Sequence, residues 1–259
     1  MVSTDKPSIR VALLVCDIPI APVATAHGKY PDMFKDLLLL GLEHLKQESA
    51  IAQDTELIMG DFDVREFNYP ENLGEWDAVL ITGSASNAYD DIPWINQLVE
   101  YVKEIPRDQK APKVVGICFG HQIIGRAYNA KVGKNVNGWE LGWTNTELTE
   151  AGQEFWQDTH MRIQELHQDI VYDLPEGFTL LASTEHTANQ SMISNDHQIV
   201  SVQGHPEFTG EIMKKYIEIR TANGTFSKEL SEASSKLVDE PLDRAKIAGR
   251  ILQFAATKA

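Results

Sequence analysis

The sequence predicts an α/β fold: a single domain with a mostly parallel central sheet, helices on both faces and a partly antiparallel extension. Three patterns carry this expectation. Over the first half of the chain, short apolar runs alternate with amphipathic helical stretches. Those runs are continuous, as strands buried on both faces require. After Ala130 the helices give way to short strands separated by Gly, Asn and Asp turns, which is the pattern of antiparallel pairing.

Ile9 to Val15 (IRVALLV) is the first strand, and Cys16 to Tyr30, with Pro19, Pro22 and Gly28, reads as a loop. Pro31 then opens a helix on which Met33, Phe34, Leu37, Leu38, Leu42 and Leu45 share a face. Thr55 to Val64 and Trp76 to Thr82 are the next strands. A helix from Pro93 presents Ile95, Leu98, Val99, Val102 and Ile105. Lys113 to Ile117 is a fourth core strand, followed directly by a helix to about Ala130. Trp139–Leu148, Met161–Leu166, Phe178–Thr184 and Gln190–Ser194 are short strands, with a helix at Thr149–Trp156 between the first two. Ile199–Gln203 returns to the core-strand pattern, and helices follow at Thr209–Ala222 and Pro241–Ala256. The Ser-rich stretch Ser227–Glu240 fits a surface helix or a mobile segment. The α/β domain is expected over 9–222, with 223–259 a helical segment packed on it.

Composition narrows the function. With 259 residues, 42% hydrophobic and 24% charged, the chain is globular and large enough for one substantial core. No apolar run approaches the roughly 18 residues of a membrane span. Met1 to Arg10 carries Asp5, Lys6 and Pro7 and lacks the pattern of a secretory signal. Two cysteines, Cys16 and Cys118, make no disulfide framework, so a reducing, cytoplasmic setting is expected, with Cys16 a small buried residue at a strand end. A net charge of −15 repels phosphate backbones and anionic lipid, so neither nucleic acid nor membrane is an expected partner. The histidines show no metal-ligand spacing, and there is no C-x-x-C, G-x-G-x-x-G or P-loop; no metal or cofactor is expected.

The sharpest local signal is Gly116-Ile117-Cys118-Phe119-Gly120-His121-Gln122, where a buried strand meets a helix. A nucleophile in G-x-C-x-G context sits on a tight strand-to-helix turn, and the flanking glycines leave steric room for that turn. A helix N-terminus favours the thiolate, the nucleophilic form. The first helical N–H, that of Phe119, points to where an oxyanion would form. A cysteine nucleophile needs a base and an acid that orients it. Gly204-His205-Pro206-Glu207 follows a core strand and offers both, since His205 and Glu207 project to one side of an extended chain.

With these residues in view, the chain resembles class I glutamine amidotransferase domains, which have a flavodoxin-like sheet. The anchors are GICFGHQ (116–122), GHPEF (204–208) and ITGSAS (81–86). ITGSASNAYDDIPWI and GWELGW (138–143) are similar to the stand-alone branch that includes plant γ-glutamyl peptidases and small fungal proteins. The resemblance implies Cys118 as nucleophile, His205 as base and Glu207 as its partner. It implies Gly83 and Phe119 as oxyanion-hole donors and Gln122 as the residue holding the amino-acid end of a glutamyl substrate. His167, in Leu166-His167-Gln168-Asp169, resembles a segment lining the family's pocket and is a candidate substrate contact. Read physically, Gly83 ends a strand at the same sheet edge, and Ser84-Ala85-Ser86 is a small flexible loop with free N–H groups.

The expected activity is hydrolysis of a γ-glutamyl amide, either of glutamine or of γ-glutamyl peptides, through a thioester. Secondary-amide leaving groups are expected to be preferred to free glutamine. Two alternatives share the parts: a glutaminase subunit serving a separate synthetase, and a regulator that keeps the fold without turnover. G-x-C-x-G also occurs in α/β-hydrolases of the dienelactone hydrolase type. Asp169, Asp173 or Asp196 would serve that order of acid and base, but Gln122 and His-Pro-Glu would then lack a role.

Overall fold

The N-terminal apolar run forms β1 (Ser8–Val15), and the two faces of this strand enter different halves of the core. Ile9, Val11, Leu13 and Val15 join one apolar cluster, while Ala12, Leu14 and Cys16 join the other. A strand alternates its side chains, so a continuous apolar run needs cover on both sides. The computed structural model describes residues 6–108 and 111–257.

The chain continues through α1 (Ala21–His27), α2 (Tyr30–Gln47), β2 (Glu56–Asp63) and β3 (Ala78–Ile81), then α3 (Pro93–Glu104), β4 (Lys113–Ile117) and α4 (Phe119–Ala127). The second half holds β5 (Val132–Lys134), β6 (Glu140–Leu148), α5 (Glu150–Trp156), β7 (His160–His167), β8 (Asp169–Val171), β9 (Phe178–Ser183), β10 (Ser191–Ser194) and β11 (Ile199–Val202). It closes with α6 (Gly210–Ala222), α7 (Lys228–Leu237) and α8 (Arg244–Ala256). Among the described residues the main sheet has the order β2-β1-β3-β4-β11-β10-β9-β6-β7. Pairing is parallel from β2 to β11 and antiparallel from β11 to β7. This is the predicted class: one domain, with a mostly parallel sheet core, helices on both faces and an antiparallel extension.

Two expectations need correction, and one open alternative is resolved. The stretch Cys16–Tyr30 is not all loop: Pro22 lies in the first turn of α1, where a missing N–H costs nothing, and Gly28 at φ +80 ends it. The Ser-rich segment is a helix, α7. Ser227 caps the Leu230 N–H, and Ser234 Oγ donates to Leu141 O of β6 at 2.9 Å. Ser231 and Ser234 form its buried stripe. The short pair β5 and β8 forms a separate two-stranded sheet that three-residue strands do not reveal by periodicity. α8 starts at Arg244 rather than Pro241 and lies hard against α2: a Cβ on Gly41 would stand 2.5 Å from the Ala248 carbonyl carbon. No helix among the described residues is long and apolar enough to cross a membrane.

Candidate active site

The parallel register sets the site. Leu14 pairs with Ile81, Ile81 with Gly116, and Ile117 with Val202. The carboxyl ends of β1, β3, β4 and β11 therefore deliver Asp17, Gly83, Cys118 and His205 to one edge, where open α/β sheets bind ligands.

Cys118 caps α4 with φ +51 and ψ −102, in positive-φ space that non-glycine residues rarely occupy. The turn is tight because β4 and α4 touch. A Cβ on Gly116 would meet Gly120 O at 2.6 Å, and one on Gly120 would meet Ile81 O at 2.5 Å. The Cys118 N–H donates to Val202 O at 2.9 Å, tying the turn to β11. Phe119 opens α4, so its N–H has no acceptor within the helix. Among the described residues, Gly83 N–H also has no acceptor. Gly83 admits no side chain, since its Cβ would stand 2.9 Å from His205 Cε1 and 3.7 Å from Cys118 Cβ. The following loop is not loose: Ala85 N–H donates to Asp17 Oδ2 at 2.7 Å and Ser86 N–H to Ser84 Oγ at 3.1 Å. Of the N–H groups expected to be free there, those two are engaged.

His205 is fixed on every side. Its N–H donates to Gln164 O of β7 at 2.8 Å, its Nδ1 meets Glu207 Oε1 at 2.8 Å, and its ring stacks on Phe208 at 4.3 Å. Arg244 of α8 donates to Pro206 O at 3.0 Å and holds the segment from below. Burial alone would lower the His205 pKa. The Cys118 sulfur and the Glu207 carboxylate outweigh it and raise the value well above the ordinary 6.5. The carboxylate partner of His205 is thus Glu207; Asp196 instead pairs with Arg107, which excludes it from the rival hydrolase order.

Gln122 lies on the cleft wall beside Cys118. Its Nε2 donates to Asp169 O at 2.8 Å and to Gln203 Oε1 at 3.3 Å. Both amide hydrogens are engaged, so Oε1 is the atom free to meet a ligand. Gln203 in turn reaches Cys118 Sγ at 3.6 Å. Sequence reasoning passed over this residue; a glutamine closing the apolar run Ile199–Val202, directly before Gly204-His205, was the available signal, and the structure buries it fully.

His167 also lines the cleft, but its Nε2 is committed to protein. It lies 3.1 Å from Glu165 and 3.3 Å from Glu140, both buried carboxylates. Burial lowers the His167 pKa, but the two carboxylates dominate and hold it up at about 10. Its placement between them does not favour the expected substrate contact through Nε2. Replacing His167 by Leu strands two buried carboxylates and is expected to cost about 3–5 kcal/mol in urea unfolding. Because the folded-state pKa is raised, the histidine's contribution is complete below 6.5 and lost as pH climbs through about 10. A loss under about 1 kcal/mol at pH 6 would contradict the ion-pair role.

Two spaces adjoin at this edge of the sheet and share Ser84, Ala85, Leu166 and Arg220. One, of about 180 Å³, is bounded by Cys118, Gln122, Lys134, Asp169 and Arg220. The other, of about 50 Å³, is bounded by Asp17, Tyr30, His205, Tyr216 and Arg220. A larger cavity of about 1060 Å³ lies at the other end of the parallel strands, beside Lys113 and Phe254, and holds no cysteine. Among the described residues no cluster could hold a metal ion.

Residues 44–221 match the family described as "Glutamine amidotransferase class-I". A protein of Schizosaccharomyces pombe named as glutamine amidotransferase-like is 33% identical, over 95% of this chain and 98% of its own. "Gamma-glutamyl peptidase 3" of Arabidopsis thaliana is 34% identical, over 61% of this chain and 66% of its own. A glutamine amidotransferase crystal structure from Thermotoga maritima shares the fold, with a TM-score of 0.65 and 20% identity, over 96% of this chain and 99% of that one.

Proposed function

Since the chain belongs to the class I glutamine amidotransferase family, we propose that it is a thiol hydrolase of γ-glutamyl amides, acting through Cys118, His205 and Glu207. The observation that carries the reading is the placement of His205. One ring nitrogen is held by Glu207, and the sulfur of Cys118 acts on the same ring, beside the unpaired N–H groups of Gly83 and Phe119.

In this reading the Cys118 thiolate attacks the γ-carbonyl carbon, and the carbonyl oxygen takes the charge between the two N–H groups. The His205 imidazolium gives its proton to the departing nitrogen. The C–N bond breaks, leaving a γ-glutamyl thioester. His205, now neutral, takes a proton from water, whose oxygen attacks the thioester carbon. Glutamate leaves and the thiolate–imidazolium pair returns. Glu207 holds the ring and stabilises its charge throughout. Gln122 Oε1 accepts from the α-ammonium of the glutamyl group. No cofactor is needed, and the thiol requires a reducing compartment such as the cytoplasm.

Similarity to γ-glutamyl peptidases supports leaving groups larger than ammonia. The test is steady-state kinetics with product mass spectrometry on glutamine and a panel of γ-glutamyl peptides. The peptides are expected to exceed glutamine in kcat/KM. Gln122→Ala is expected to raise KM roughly tenfold with a smaller fall in kcat, because its contact exists before and during reaction. Turnover of glutamine alone would instead indicate an ammonia-producing subunit for a synthetase, and turnover of neither a regulator.

A further inference from the structure

Arg220 stands at the seam of the two spaces, one lined by Cys118 and the other by His205, and lines both. It lies in the last turn of α6, and its guanidinium carbon is 5.5 Å from the Trp139 ring centre, 5.4 Å from Tyr216 and 5.8 Å from Phe226. Aromatic faces hold a cation without satisfying its N–H donors. Every other arginine donates to an acceptor: Arg10 to Glu75 O, Arg65 to Asp63, Arg107 to Asp196, Arg126 to Ala88 O, Arg162 to Asp243, Arg244 to Pro206 O and Arg250 to Phe155 O. Of the eight arginines, all within the described residues, Arg220 alone has neither an acceptor nor a carboxylate within ion-pair distance. In a chain of net charge −15, an arginine left unpaired beside the nucleophile is a site for an anion.

In the hydrolase reading the two spaces take the two halves of a γ-glutamyl substrate, the glutamyl group beside Cys118 and Gln122 and the leaving group beside His205. The Gln122 side, with Lys134 and Asp169, carries both charges needed to meet the glutamyl ammonium and carboxylate. The His205 side receives the departing amine. Its one carboxylate, Asp17, is occupied by the N–H groups of Ala85 and Ile18. Arg220 is the cation facing that side. We propose that Arg220 binds the carboxylate of the leaving amino acid, so that the preferred substrates are γ-glutamyl peptides with a free carboxylate near the scissile bond. The inference rests on the hydrolase reading above.

The test compares γ-glutamylglycine with γ-glutamylglycinamide, which differ only in that carboxylate. The wild-type ratio of their kcat/KM values is expected to be about 10–100, the value of one charge-assisted contact. In Arg220→Gln the ratio is expected to fall to about 1, and in Arg220→Lys to lie between. Being a ratio within one preparation, it is insensitive to a partly unfolded sample. A wild-type ratio near 1, or an unchanged ratio in Arg220→Gln with both substrates slowed equally, overturns the proposal while leaving the hydrolase reading in place. No cleavage of either dipeptide or of glutamine by folded wild type overturns both.

Discussion

Cys118→Ala is expected to lower hydrolysis roughly 10⁴–10⁶-fold while leaving the fold intact. Alanine keeps the Cβ and therefore the same demand on the positive-φ backbone at φ +51, so the loss reports chemistry and not a relaxed turn. The same assignment separates the two thiols. Cys16 is buried, and removal from water pushes its thiol well above the ordinary range. Limiting iodoacetamide near pH 7 is expected to label Cys118 and spare Cys16. Peptide mapping reads this directly: label on Cys16 with activity kept, or substantial turnover by Cys118→Ala, would remove Cys118 from the mechanism.

His205→Ala is expected to cost 10²–10⁴-fold in kcat, and Glu207→Gln less, because the ring remains in place to carry a proton. The pH profile distinguishes the two roles. The His205 pKa is held well above 6.5 against burial by Cys118 and Glu207. The imidazolium therefore persists to alkaline pH, and kcat/KM should fall only where it deprotonates. Removing the Glu207 charge takes away one of the two groups that raise the pKa. In Glu207→Gln the alkaline limb is expected to move to lower pH. A limb that stays in place, or moves upward, is incompatible with Glu207 as the stabilising partner.

The parallel core and the elbow were legible because each is local. β4, Cys118 and α4 occupy one continuous segment, and His205 lies within two residues of Glu207. What escaped was assembled from distant segments. Asp17 lies two residues past the end of β1, yet it clamps the loop after β3 through Ala85 N–H. Arg220 looks like an ordinary basic residue closing a helix until α6 brings it to the cleft. His167 was legible as a pocket residue but not as the centre of an ion cluster. Glu165 stands two residues before it on the same face of β7, but Glu140 reaches it only through the β6–β7 register, which sets Glu140 opposite His167. The Ser-rich stretch does not declare a helix because serine is a mediocre helix former; α7 is docked by Ser234 on β6 and by Ser231 on Thr221 of α6.

The backbone at Cys118 also sets stability and chemistry against each other at one residue. A non-glycine side chain in that conformation costs on the order of 1–3 kcal/mol, a large share of the 5–15 kcal/mol that separates folded from unfolded domains. Glycine would relieve the strain and remove the sulfur in the same step. On the proposed mechanism, mutational drift that rewards robustness alone has a downhill route into an inert scaffold through a single codon, and the thiol persists only while turnover is itself under selection.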